Sequence, residues 1–99
     1  MTRFQLRRLA LQATRRPELL PVLQDALLES AAYGADFENA IKEARLLTRG
    51  SVWPVVVAFN PRLRTPFAWF IGSLSRWRKD WTRRGYTPVY QVDPERRRQ

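Results

Sequence analysis

The stretch from Thr65 to Gly85, TPFAWFIGSLSRWRKDWTRRG, constrains this chain more than any other. It holds Trp69, Trp77 and Trp81, three of the four tryptophans, between residues that start and stop helices. Thr65 suits an N-cap, and Pro66 suits the first helical position, where its missing N–H costs nothing. Gly85 stands where a left-handed C-cap residue belongs. Arg83 and Arg84 before it match the negative end of the helix dipole. Phe67, Phe70, Ile71, Leu74, Trp77 and Trp81 recur at three- and four-residue steps and so share one helical face. Arg76, Lys79, Asp80 and Arg83 fall on the opposite side, with Trp69 and Ser73 at the boundary. Gly72 either weakens the helix or admits a close neighbour. The spacing predicts one helix over 65–85.

Three further helices precede it. Thr2 with Gln5 forms a capping-box pattern, and Leu6, Leu9, Ala10 and Ala13 make a stripe that runs to about Thr14. Arg16-Pro17 breaks that helix, because the residue before a proline avoids the helical region. A second helix buries Leu19, Leu20, Leu23, Ala26, Leu27 and Ala31; Pro21 is tolerable if it starts near Leu20. Tyr33-Gly34 ends it. Asp36 caps a third, with Phe37, Ala40, Ile41, Ala44 and Leu47 inside and Gly50 as its stop. Residues 52–59, VWPVVVAF, are β-branched and aromatic and read as extended chain, with Pro54 arguing against a central strand. Residues 86–92 form a second extended segment able to pair with 55–59. The expected fold is mainly α: a single basic domain over 1–93 of about four helices, with a two-stranded β element around 52–59 and 88–92. The alternative is α+β. Residues 94–99 are expected to be a disordered arginine tail.

The formal charge is +9, and it is partitioned. Residues 1–16 carry five arginines and no acid; residues 17–43 carry six acids against Lys42. Residues 44–99 carry twelve cations against Asp80, Asp93 and Glu95. Such a balance speaks about partners: nucleic acid, an acidic protein surface, or, less favoured, an anionic membrane surface. The basic, acid-free first sixteen residues resemble a mitochondrial targeting segment, which would place the protein in the matrix; as an ordinary amphipathic first helix they imply a cytoplasmic protein.

The chain has no histidine and no cysteine. That excludes disulfides, a histidine-assisted serine site, a cysteine nucleophile and the usual zinc ligands. Asp36, Glu38 and Glu43 are the candidates for a metal-dependent nuclease, but Asp36 is better explained as a helix cap and Glu38 as a first-turn acid. No glycine-rich phosphate loop, RNP pattern, GXXG loop or zinc-finger spacing is present. The expectation is a non-catalytic binding module with no cofactor and no metal. Its candidate site is the C-terminal arginine and tryptophan surface: Arg62, Arg64, Trp69, Arg76, Arg78, Lys79, Arg83, Arg84 and the tail residues Arg96, Arg97 and Arg98. Cations along a surface can follow phosphates, and flat aromatic faces can take unstacked bases. Trp77 and Trp81, on the main stripe, are expected to be core; Trp69, off it, is the expected exposed aromatic. The first function expected is a nucleic-acid-associated or assembly subunit. The alternatives are an adaptor or inhibitor docking on an acidic protein surface, and a peripheral membrane binder.

Overall fold

The capping box at the start of the chain forms as its pattern requires. The Thr2 hydroxyl accepts from the Gln5 amide at 3.2 Å, and the Gln5 side chain accepts from the Thr2 amide at 2.8 Å. Helix α1 (Arg3–Arg15) follows and buries Leu6, Ala10 and Ala13. A 3-10 turn at Pro17–Leu19 leads into α2 (Leu20–Glu29), which starts late enough for Pro21 to sit in its first turn. Helix α3 (Gly34–Thr48) opens at Gly34, so Asp36 is a first-turn acid and not the N-cap. Gly34 is required there by space: a Cβ would run into the Leu28 carbonyl oxygen where the two helices turn against each other. In this computed structural model, residues 2–64 and 67–94 are described.

After α3 the chain becomes a sheet. Strand β1 (Val55–Phe59) is fully buried and central, flanked by β2 (Trp69–Ser73) and β3 (Thr87–Val92), both antiparallel to it. Val55 pairs with Ser73 on one side and Val92 on the other. Pro54 does not contradict the central position, because the strand begins just after it. The expected pairing of 55–59 with the chain after Tyr86 is present, with a bulge between Val57 and Ala58. The Val89 carbonyl at the bulge accepts from Gln24 of α2 at 2.6 Å.

The long helix expected over 65–85 is not formed, and this is the main correction. Its first half is β2. Trp69, Phe70 and Ile71 are aromatic and β-branched, and they fit strand alternation as well as helical spacing. Trp69 and Ile71 pack toward the helices, whereas Phe70 packs on the other face. Gly72 makes room for Phe70, whose ring would lie 2.8 Å from a Cβ there. Ser73 then caps a new helical start, its hydroxyl accepting from the Arg76 amide at 3.3 Å. Helix α4 (Leu74–Arg76) continues through a wide π turn (Trp77–Trp81) and a 3-10 turn (Thr82–Arg84). Gly85 ends it in the left-handed region at φ 84°, as expected. The proposed cap at Thr65 and Pro66 lies outside the described residues. The domain is therefore α+β, with four helices and a three-stranded sheet among the described residues, rather than mainly α.

The sheet carries a hydrophobic cluster on each face. Val55, Val57, Phe59 and Val89 meet Leu6, Leu23, Leu27, Tyr33 and Phe37 from α1–α3 and their loops. Val56, Ala58, Phe70 and Tyr86 meet Leu74, Trp77 and Trp81 from the connection between β2 and β3.

Candidate functional site

The connection 74–84 is anchored at both ends of β1. At the start of the strand, the Leu74 amide donates to the Pro54 carbonyl at 3.0 Å. At its end, buried Asn60 donates from Nδ2 to the Arg84 carbonyl at 2.9 Å, and its Oδ1 accepts from the Arg62 amide at 3.0 Å. Between these anchors the connection crosses the second face of the sheet. Its inward side chains are Leu74, Trp77 and Trp81. Trp77 is held by its indole N–H, which donates to the Tyr86 carbonyl at 2.9 Å.

The side chains left outside are cations. Arg76, Arg78, Lys79, Arg83 and Arg84 are all exposed, with Asp80 the one acid among them. The one ion pair among the described residues, Arg16 with Glu18, lies far from them in the chain. These cations form a rib along the length of β1, about 15 Å at the usual rise per residue. Arg62 and Arg64 are exposed in the loop after β1, and Asn60 ties the backbones of Arg62 and Arg84 together. Arg96, Arg97 and Arg98 lie outside the described residues.

The tryptophans divide differently from the expectation. Trp69 is not an exposed aromatic: its ring stacks on Phe37 at 5.3 Å and touches Phe59 at 4.8 Å. Its indole N–H is buried without a protein acceptor. It belongs to the core because strand alternation turns it toward α3. Trp77 and Trp81 are half-buried under the rib, as expected of core residues. Trp81 stacks on Phe70 at 4.8 Å, and Arg84 covers it at 4.8 Å.

The exposed indole is Trp53, 65% exposed just before β1. Its backbone is fixed although its side chain is not packed away. The Ser51 hydroxyl accepts from the Trp53 amide at 3.0 Å and donates to its carbonyl at 3.1 Å. An open groove of about 460 Å³ lies beside it, lined by Trp53, Pro54, Leu74, Ser75, Arg78 and Lys79. Sequence reasoning placed Trp53 in an extended apolar segment and missed its exposure. The available signal was Pro54: a residue before a proline at a strand's start stands outside the ladder. A second exposed ring, Phe67, lies near the other end of the rib, its carbonyl accepting from the Tyr86 hydroxyl.

Elsewhere, Leu46, Leu47 and Val52 are exposed near Trp53 in the chain, and Phe4 and Leu11 on α1. Among the described residues no cluster of three or more acids is arranged to hold a metal ion. No helix among them is long and apolar enough to cross a membrane. Compared with known protein families, with curated proteins and with solved structures, the chain matches none.

Proposed function

We propose that this protein is a small, non-catalytic nucleic-acid-binding module whose contact surface is the rib Arg76–Arg84. The observation that carries the reading is the row of five exposed cations, with one acid among them, held at both ends of a buried strand. Cations fixed along an element can neutralise successive phosphates and release their counterions. Exposed Arg62 and Arg64, in the loop after β1, add to this charge, and the sequence carries three more arginines at 96–98.

Fluorescence anisotropy with a labelled oligonucleotide over a salt series tests this. Affinity falls as salt rises, with a log–log slope that reports the number of phosphates contacted. The double variant Arg76→Glu/Arg83→Glu flattens that slope. Salt-independent or undetectable binding at low salt contradicts the reading.

A second reading, docking on an acidic protein surface, draws support from the exposed side chains Leu46, Leu47, Val52 and Trp53, close in the chain to exposed Arg45 and Arg49. A single stoichiometric protein partner that survives nuclease treatment in a pull-down favours this second reading over the first.

A further inference from the structure

We propose that the groove beside Trp53 stacks an unpaired base, so that the preferred ligand is a single-stranded nucleic acid. This rests on the nucleic-acid reading above and narrows it to one chemical class.

The other three indoles are each engaged within the protein. Trp69 is sandwiched among Phe37, Phe59 and Tyr33. Trp77 is bonded to Tyr86, and Trp81 lies between Phe70, Tyr86 and Arg84. Trp53 has no aromatic neighbour and no cation over its ring among the described residues. It is nevertheless presented on a fixed backbone, between the Ser51 hydroxyl and Pro54. A ring carried on a fixed backbone has only its own side-chain torsions to lose when a second ring stacks on it.

The groove's lining fits a nucleotide in each of its parts. Pro54 and Leu74 offer apolar walls to a base, and the Ser75 hydroxyl offers a hydrogen bond to a base edge or sugar. Arg78 and Lys79 line the same groove and supply charge for the phosphate. Charge complementarity selects an anionic occupant, and a flat indole selects one with a flat ring. In a duplex the base faces are covered by their neighbours, so only a single strand can present one. The rib then continues from Arg78 and Lys79 toward Arg83 and Arg84, with exposed Phe67 near its far end.

The test uses the full chain, a fluorescein-labelled oligothymidine and a duplex of the same length. The wild type binds the single strand more tightly than the duplex, and binding quenches tryptophan fluorescence. Trp53→Ala loses about 5- to 150-fold in single-strand affinity, the range for one base stacked on an aromatic side chain, with duplex affinity unchanged. Trp53→Phe keeps most of the affinity and loses most of the quenching, because Trp53 is the most exposed indole among the described residues and lines the groove. Trp53 is exposed, so these variants retain the wild-type thermal midpoint. Equal affinity for single strand and duplex, or a Trp53→Ala protein that binds the single strand as wild type does, overturns the stacking site. In either case, if salt-dependent binding survives, the broader nucleic-acid reading stands. If neither oligonucleotide binds at 50 mM-scale low salt, about the lower end of the usual range, both fail together.

Discussion

On one face of the sheet lie α1, α2 and α3; on the other lies the connection from Leu74 to Arg84. The first contact gathers Phe37, Phe59, Leu6, Leu23 and Leu27, each essentially inaccessible, with Tyr33 edge-on to Phe59 and Trp69 stacked on Phe37. The second gathers fewer buried residues, and Leu74, Trp77 and Trp81 remain partly open to solvent. Their charges differ as well. Helices α2 and α3 hold most of the acids, whereas the connection holds one acid among five cations. The deeply packed face supplies the stability, and the thinner one can afford a row of like charges. Packing a short irregular segment on a sheet held rigid from behind gives a surface that is fixed yet almost entirely committed to charge.

This contrast can be broken by mutation. The largest effect is expected at Phe37→Ala, which removes a ring from under Trp69 and leaves a cavity. A loss of about 3–5 kcal/mol follows for such a change, most of the stability of a small domain. Urea denaturation followed by far-UV circular dichroism measures it. Trp81→Ala removes a half-buried ring and is expected to cost about 2 kcal/mol, less than a fully buried aromatic. Hydrogen exchange then shows amides of 74–84 opening while those of α2 and α3 stay protected. Equal losses at Phe37 and Trp81 would remove the distinction between the faces.

Asn60→Ala leaves the Arg84 carbonyl and the Arg62 amide without their partner, for a loss of about 1–3 kcal/mol. It also releases the far end of the rib, so oligonucleotide affinity falls along with the denaturation midpoint. By contrast, Arg78→Glu/Lys79→Glu changes stability by no more than about 0.5 kcal/mol, as exposed substitutions do. It lowers the salt slope by about one for each phosphate contact removed. If these substitutions unfold the protein, the rib is part of the scaffold after all.

The smallest effect is at Glu18. Its own backbone amide, then the Arg16 guanidinium at 3.0 Å, holds its carboxyl below the usual range. A carboxyl with a depressed folded pKa contributes stability above its unfolded pKa and loses it as pH falls through the folded one. Glu18→Gln therefore removes a slight acid-side dependence of the thermal midpoint below pH about 4.5, and changes nothing measurable at neutral pH.

The helical layer was legible in the sequence because its signals are local. Thr2 and Gln5 cap α1, and Leu6, Ala10 and Ala13 or Phe37, Ala40 and Ala44 mark the buried stripes. The connection was not legible, because Phe70, Ile71 and Leu74 satisfy helical spacing while Trp69 to Ile71 also satisfy strand alternation. What decides between them is β1: an apolar strand this deeply buried needs partners on both edges, and 69–73 supplies one. Gly72, read as a helix blemish or as room for a close neighbour, seats the Phe70 ring within the strand. The exposed cations of 76–84 were legible from composition and order alone. The exposed tryptophan was not: exposure at Trp53 depends on where β1 begins and on the Ser51 turn, neither of which periodicity reports.

The central claim is that the charged connection and Trp53 form the working surface and that α2 and α3 stand behind it as scaffold. The most direct test is an NMR titration of isotope-labelled protein with a short single-stranded oligonucleotide, following backbone amides and the four indole N–H signals. Shifts should cluster at the Trp53 indole and along Arg76–Arg84, with the Trp69 indole and the amides of α2 and α3 unmoved. Shifts confined to the helical layer, or a moving Trp69 indole with a still Trp53, would contradict the account.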